Sequence, residues 1–203
     1  MQVQKDDIRS RVLREARKLF VQKGFLKTSM REIAERADVS VANIYNYFDS
    51  KDEIFTELTA PARDKVYRML SEHHGIKGDD VLSLGDESYY RSTLDEYREI
   101  IGAERDAFRL LLLGAEGSSQ EGFKDEYVRR STAQVMEWFK AMKSLHPEIN
   151  VAVSEAFVRL NTLWMLSLLE ELVRGVWTEE EQVAVLDDFV KFEIEGWRAM
   201  MHV

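Results

Sequence analysis

TSMREIAERADVSVANIYNYFDSKDEIF, residues 28–55, holds two short apolar periods separated by three residues. Met30, Ile33, Ala34 and Ala37 recur at helical spacing, and Ser29 with Glu32 three residues on forms a capping box that starts a short helix. Asp38, Val39 and Ser40 break the period. A third short segment runs from Val41 to about Tyr47, and Ser50 with Glu53 repeats the capping signal ahead of a longer fourth helix, about 51–72. Upstream, Ile8, Val12, Ala16, Leu19 and Phe20 line one stripe of a first helix that Gly24 ends. Two short helices joined by a three-residue turn, with a helix on either side, make a helix-turn-helix, in which one helix braces the backbone and the next offers its first turn to a groove. Pro61 removes an amide donor inside the fourth helix and is expected to kink it.

Further along, only Pro61 and Pro147 occur as prolines and no period-two run is present, so the chain reads as helical nearly throughout. His73–Asp86 reads as a loop with one helical turn. Helices are expected at about 87–102, 104–115, 121–145, 151–175 and 179–201. The fold class is all-α, with a three-helix domain over residues 1–50 and a larger helical domain over 51–203.

The composition of 203 residues, 45% hydrophobic and 32% charged, is that of a folded chain. The net charge of −9 argues against a polyanionic partner, but its distribution reverses that. Residues 1–51 hold 11 Lys and Arg against 7 Asp and Glu, a net +4, while the rest carries −13. One basic end on an acidic body leaves a single productive approach to DNA. With no cysteine, thiolate chemistry and disulfides are excluded. The N-terminus lacks an apolar run and no stretch reaches 18 uncharged apolar residues, so a cytoplasmic protein is expected.

Residues 28–55 also resemble the DNA-binding signature of the tetracycline-repressor (TetR) family, at Thr28, Arg31, Ile33, Ala34, Ala37, Val39, Ser40, Tyr45, Tyr47, Phe48, Ser50, Lys51 and Glu53. The resemblance implies backbone contacts at Thr28, Tyr47 and Lys51, and base-facing positions at Val41, Ala42, Asn43, Tyr45 and Asn46. Lys51 at a helix start suits a phosphate, and Asn43 and Asn46 suit adenine edges. Each also has a plainer role as a cap, a solvated lysine or a packed ring. Asp38 replaces the family's turn glycine; Asp tolerates the left-handed conformation but brings a negative charge. Val41 and Ala42 replace positions that are often polar or glycine, which favours apolar contact, for instance with a thymine methyl. Ile33, Ala34, Ala37, Val39, Ile44 and Phe48 read as core.

The last two helices are apolar on more than one stripe, including Phe157, Leu160, Trp164 and Leu168 in one and Phe189, Val190, Phe192 and Trp197 in the other. Such helices are either central in their domain or bury a second face against another chain. The resemblance implies the latter, a homodimer through these helices that fits a palindromic operator. Tyr97, Phe108, Trp138, Asn161 and Trp164 are candidate walls of a cavity for a small apolar or aromatic effector, though aromatics at this spacing also make plain core. Asn161 and Thr162 need a polar partner, supplied by a ligand, a water or a neighbouring helix. An enzyme is not expected. Residues 114–122, GAEGSSQEG, lack the Gly-Lys-Ser/Thr ending of a phosphate loop, and the four histidines have no metal-ligand spacing, so neither metal nor cofactor is implied. Glu179–Glu181 after Thr178 read as helix capping. The expected function is a transcriptional regulator, a repressor released by an effector. The alternative is a dimeric helical ligand-binding or scaffold protein without DNA binding.

Overall fold

The computed structural model describes residues 2–75 and 78–203. Its helices are α1 (Gln2–Lys23), α2 (Met30–Arg36), α3 (Val41–Ile44), α4 (Lys51–His74), α5 (Glu87–Ile101), α6 (Arg105–Leu113), α7 (Phe123–Leu145), α8 (Glu155–Arg174) and α9 (Glu179–Met201), with a 3-10 turn at Val81–Gly85. The described residues form no strand, and none of their helices is long and apolar enough to cross a membrane.

Most predicted boundaries fall within a few residues of these, and three differ for local reasons. The third helix stops at Ile44, where Tyr45–Tyr47 tighten into turns and the Tyr47 amide reaches the Ile44 carbonyl at 2.9 Å. Helix α8 starts at Glu155, capped by Ser154, rather than at 151. The segment before it is held extended by Asn150, which donates its backbone amide to Met201 O and its side-chain amide to Met200 O, both at 2.8 Å. Helix α4 runs unbroken past Pro61 to His74, so His73 and His74 lie on a helix and not in the loop. Ile76 and Lys77 of that loop lie outside the described residues.

The chain forms two compact units. The first joins the residues up to Asp64 with Glu104–Phe123. Its core gathers Val12, Ala16, Leu19 and Phe20 of α1, Ile33 and Ala34 of α2, Ile44 and Phe48 around α3, Ile54, Phe55 and Leu58 of α4, and Leu110 of α6. Phe20, Phe25 and Phe55 meet ring to ring at 5.1–5.9 Å. Gly24 ends α1 at φ +80°, a left-handed turn that brings the Phe25 amide 2.9 Å from the Gly114 carbonyl. This partition differs from a division after residue 50, because Ile54, Phe55 and Leu58 of α4 and Leu110 of α6 are buried in the N-terminal core.

The second unit comprises Lys65–Ala103 and Lys124–Val203. Val66 and Leu70 of α4, Leu94, Tyr97 and Ile100 of α5, Val128, Val135 and Phe139 of α7, Leu166 and Leu169 of α8, and Leu186, Val190 and Ile194 of α9 are among its buried residues. Thr178 and Glu181 start α9 with a capping box, at the helix start where the sequence reads capping by the acidic run.

Candidate functional site

The helix-turn-helix is built by its caps. Ser29 accepts from the Glu32 amide, and Glu32 returns the bond to the Ser29 amide at 2.9 Å. A hydrogen bond from Lys23, then the bonds from Ser29, hold the Glu32 carboxyl at about 2. In the turn, Asp38 takes the left-handed conformation at φ 55°, the role left by the missing glycine. Ser40 then accepts from the Asn43 amide at 3.1 Å and starts α3. Ile33, Ala34, Ala37, Ile44 and Phe48 are buried and Val39 is half-buried, packing residues as expected.

With Ile44 turned inward, Ala42, Tyr45 and Asn46 are exposed, and Val41, Asn43 and Tyr47 are half-buried beside them. Asn46 leans on Asn43, its amide 3.4 Å from the Asn43 side-chain oxygen. The backbone-contact candidates have a different geometry. Thr28 is buried and its hydroxyl donates to Gly24 O at 2.8 Å. The Lys51 ammonium donates to Phe25 O at 2.9 Å and Thr28 O at 2.7 Å and stands 4.0 Å from the Phe25 ring centre. Burial, the largest influence, lowers its pKa. Lys51 thus ties α4 to the loop before α2 and satisfies two carbonyls there. Sequence reading gave no DNA-contact role to Arg17, Lys27, Arg31 and Arg36, which are exposed and make no ion pair among the described residues. Their signal was position: Lys27 and Arg31 flank the start of α2.

In the second unit a cavity of about 170 Å³ lies among α4, α5, α7, α8 and α9. Tyr97, Trp138 and Asn161 line it, as the sequence suggests. Phe108 and Trp164 do not. Phe108 sits on α6, within the first unit, and Trp164 is 44% exposed, edge-on to Phe189 and Phe192 at 5.0 and 5.2 Å. The polar pair on α8 is satisfied within the protein: Asn161 donates to Glu193 of α9 at 2.7 Å, and Thr162 donates to Val158 O of its own helix at 3.2 Å and lies 3.3 Å from Ser131 of α7. Glu193, which the sequence reading missed, also accepts from the Trp197 indole at 2.9 Å. Among the described residues no group of His, Asp and Glu side chains is arranged to hold a metal ion.

Residues 12–58, the segment that builds this helix-turn-helix, match the model of the bacterial regulatory proteins of the tetR family. Over these residues the chain is similar to that family. Two curated relatives from Bacillus subtilis (strain 168) match its N-terminal part. YfiR, an uncharacterized HTH-type transcriptional regulator, is 31% identical over 75 residues, 36% of this chain and 37% of that protein. YttP, a probable HTH-type transcriptional regulator, is 44% identical over 52 residues, 26% of this chain and 25% of that protein. The chain therefore spans well under half the length of these relatives. At the level of fold the likeness is broader: the TetR family transcriptional regulator PfmR from Thermus thermophilus superposes with a TM-score of 0.63 at 20% identity, over 91% of this chain and 97% of that one.

Two further features of the protein bear on function. Phe157, Leu160 and Trp164 of α8 and Phe192 of α9 are 43–64% exposed and make one apolar face. Gly196, one turn beyond Phe192, has open space where a side chain would stand. In the cavity wall, burial and then the charge of His73 push His74 down to about 3. Burial also opposes charge on His73, but hydrogen bonds and charge from Glu96 and Asp79 overcome it and leave its pKa raised. The two histidines act oppositely on stability. His73 stabilises the fold fully below its unfolded pKa, and that contribution is lost as pH rises through its folded pKa. His74 is protonated near pH 6.5 only in the unfolded chain, so its contribution falls as pH drops. His74→Gln is expected to lose about 1 kcal/mol less than the wild type between about pH 7.5 and about pH 5.5, as read from denaturant melts.

Proposed function

We propose that the protein is a sequence-specific DNA-binding transcriptional regulator, not an enzyme, acting as a homodimer on a palindromic operator. The observation that carries this is the short α3. Its core side is committed to Ile44, while Ala42, Tyr45 and Asn46 stand exposed along the helix and just past its end, Asn46 leaning only on the neighbouring Asn43. Side chains of this size on a recognition helix read base edges and thymine methyls. Phosphates are met by Lys27 and Arg31, with Arg17 and Arg36 adding to the attracting field. Lys51 serves by holding the loop in place. Lys51→Met is accordingly expected to cost about 2 kcal/mol of stability through its two lost charged hydrogen bonds, without reducing the salt slope of DNA binding. A slope reduced by about 1 per half-site, with stability intact, would return Lys51 to the phosphate backbone.

The second copy docks through α8 and α9, whose exposed apolar face would otherwise remain in water. The effector enters the cavity of the second unit. Helix α4 contributes to both units, and its angle is the variable through which effector and operator oppose each other, so the protein acts as a repressor released by its ligand. Selection from a random duplex library tests the reading. A two-fold symmetric consensus, bound in preference to its shuffled sequence, is the expected result; enrichment of no sequence would favour a dimeric ligand-binding protein.

A further inference from the structure

The cavity has a one-sided charge. Its described lining includes Asp79, Asp80, Glu96 and Glu193 but no lysine or arginine. His73 is already shared, 2.8 Å from both Asp79 and Glu96, and His74 is held neutral. Glu193 differs from the other carboxylates in having only neutral partners, the Asn161 amide on one oxygen and the Trp197 indole on the other. A carboxylate has about four acceptor positions, so two remain open. Burial raises its pKa and these two bonds restrain the rise, with no counter-ion among its partners. Phe189, Glu193 and Trp197 follow one another at four-residue spacing on α9, and all three line the cavity. The carboxylate therefore lies between two aromatic side chains, with Tyr97 edge-on to Phe189 at 5.8 Å. A carboxylate set among aromatic rings in an apolar cavity recognises a cation with an apolar body. The volume sets the size, since an apolar cavity of about 150 Å³ takes up benzene.

We propose that this cavity binds a compact organic cation, about one ring in size with a single ammonium group, whose charge pairs with Glu193. As the identity of the effector, this rests on the regulatory reading above; as a binding site, it stands on the cavity alone. Anionic ligands such as fatty acids or phosphorylated metabolites would meet four carboxylates and no fixed cation, and are excluded by repulsion.

The test uses three ligands of similar size, 2-phenylethylammonium, 2-phenylethanol and 3-phenylpropionate, with dissociation constants read by ligand-observed NMR on the full chain without DNA. The ammonium is expected to bind at least about tenfold more tightly than the alcohol, and the carboxylate more weakly than either. In Glu193→Gln, with an unchanged melting profile, the preference for ammonium over alcohol should shrink to within about twofold. Equal binding of ammonium and alcohol by the wild type, tightest binding of the carboxylate, no binding of any of the three, or a preference that survives in Glu193→Gln would each overturn the proposal. Should Glu193→Gln not fold, the wild-type preference decides alone. A chain that prefers the ammonium but selects no duplex keeps the cation site and loses the regulatory reading; a chain that selects a duplex but shows no preference loses only the cation site.

Discussion

The double variant Trp164→Glu, Phe192→Glu is expected to be monomeric and to bind a two-fold symmetric operator about 100-fold more weakly than the wild type. Tethering two half-site contacts in one molecule raises affinity by about 10²–10⁴ over one alone, and the variant forfeits that gain. The substitutions act on the outside of the second unit. Trp164 and Phe192 are 44% and 64% exposed in the single chain, and their rings lie 5.2 Å apart, so two carboxylates there would repel across a two-fold axis with little harm to the core. Sedimentation gives the oligomeric state, and anisotropy gives the affinity. A variant that remains dimeric, or a monomeric variant that keeps full affinity, would remove α8 and α9 from the account of DNA binding.

The second large effect belongs to the first unit. Phe55 is fully buried, 5.2 Å from the Phe20 ring and 5.1 Å from the Phe25 ring, both edge-on. Truncation to Ala leaves a cavity that the neighbouring helices cannot close, and Phe55→Ala should cost about 3–5 kcal/mol. Domain stabilities are about 5–15 kcal/mol, so much of the margin goes. Leu26→Ala, at a side chain 58% exposed, is the control and should stay within about 0.5 kcal/mol of the wild type. Denaturant midpoints measure both. A loss under about 1 kcal/mol at Phe55 would mean that α4 is not anchored to α1 as described.

What could be read in advance follows from how far each signal reaches along the chain. Ser29 with Glu32 is a local pair that forms the predicted box, and Thr178 with Glu181 forms one where capping was read, since each pair lies within a single turn. The left-handed Asp38 was legible for the same reason. Placement that depends on contacts far apart in sequence was not legible. Leu110 looks like any leucine of an apolar helix, yet it joins the N-terminal core, and the Gly114 carbonyl meets the Phe25 amide from 89 positions away. Lys51 at a helix start reads as a phosphate ligand until the carbonyls of Phe25 and Thr28, 26 and 23 residues back, are seen to take its protons. Phe108 and Trp164 had the composition of a cavity wall but neither lines the cavity, whereas Glu193, on a helix otherwise noted for its apolar stripes, reads as solvated face until Asn161 and Trp197 fix it.

The most direct measurement of the central claim is fluorescence anisotropy of the purified protein on its selected duplex and on a shuffled duplex, at several salt concentrations, for the wild type and for Lys27→Ala, Arg31→Ala. The account predicts tighter, salt-dependent binding to the selected duplex by the wild type. In the variant, the salt slope should fall by about 2 per half-site while the preference between duplexes is retained. Equal, weak binding of both duplexes by the wild type, or an unchanged salt slope in the variant, would contradict it.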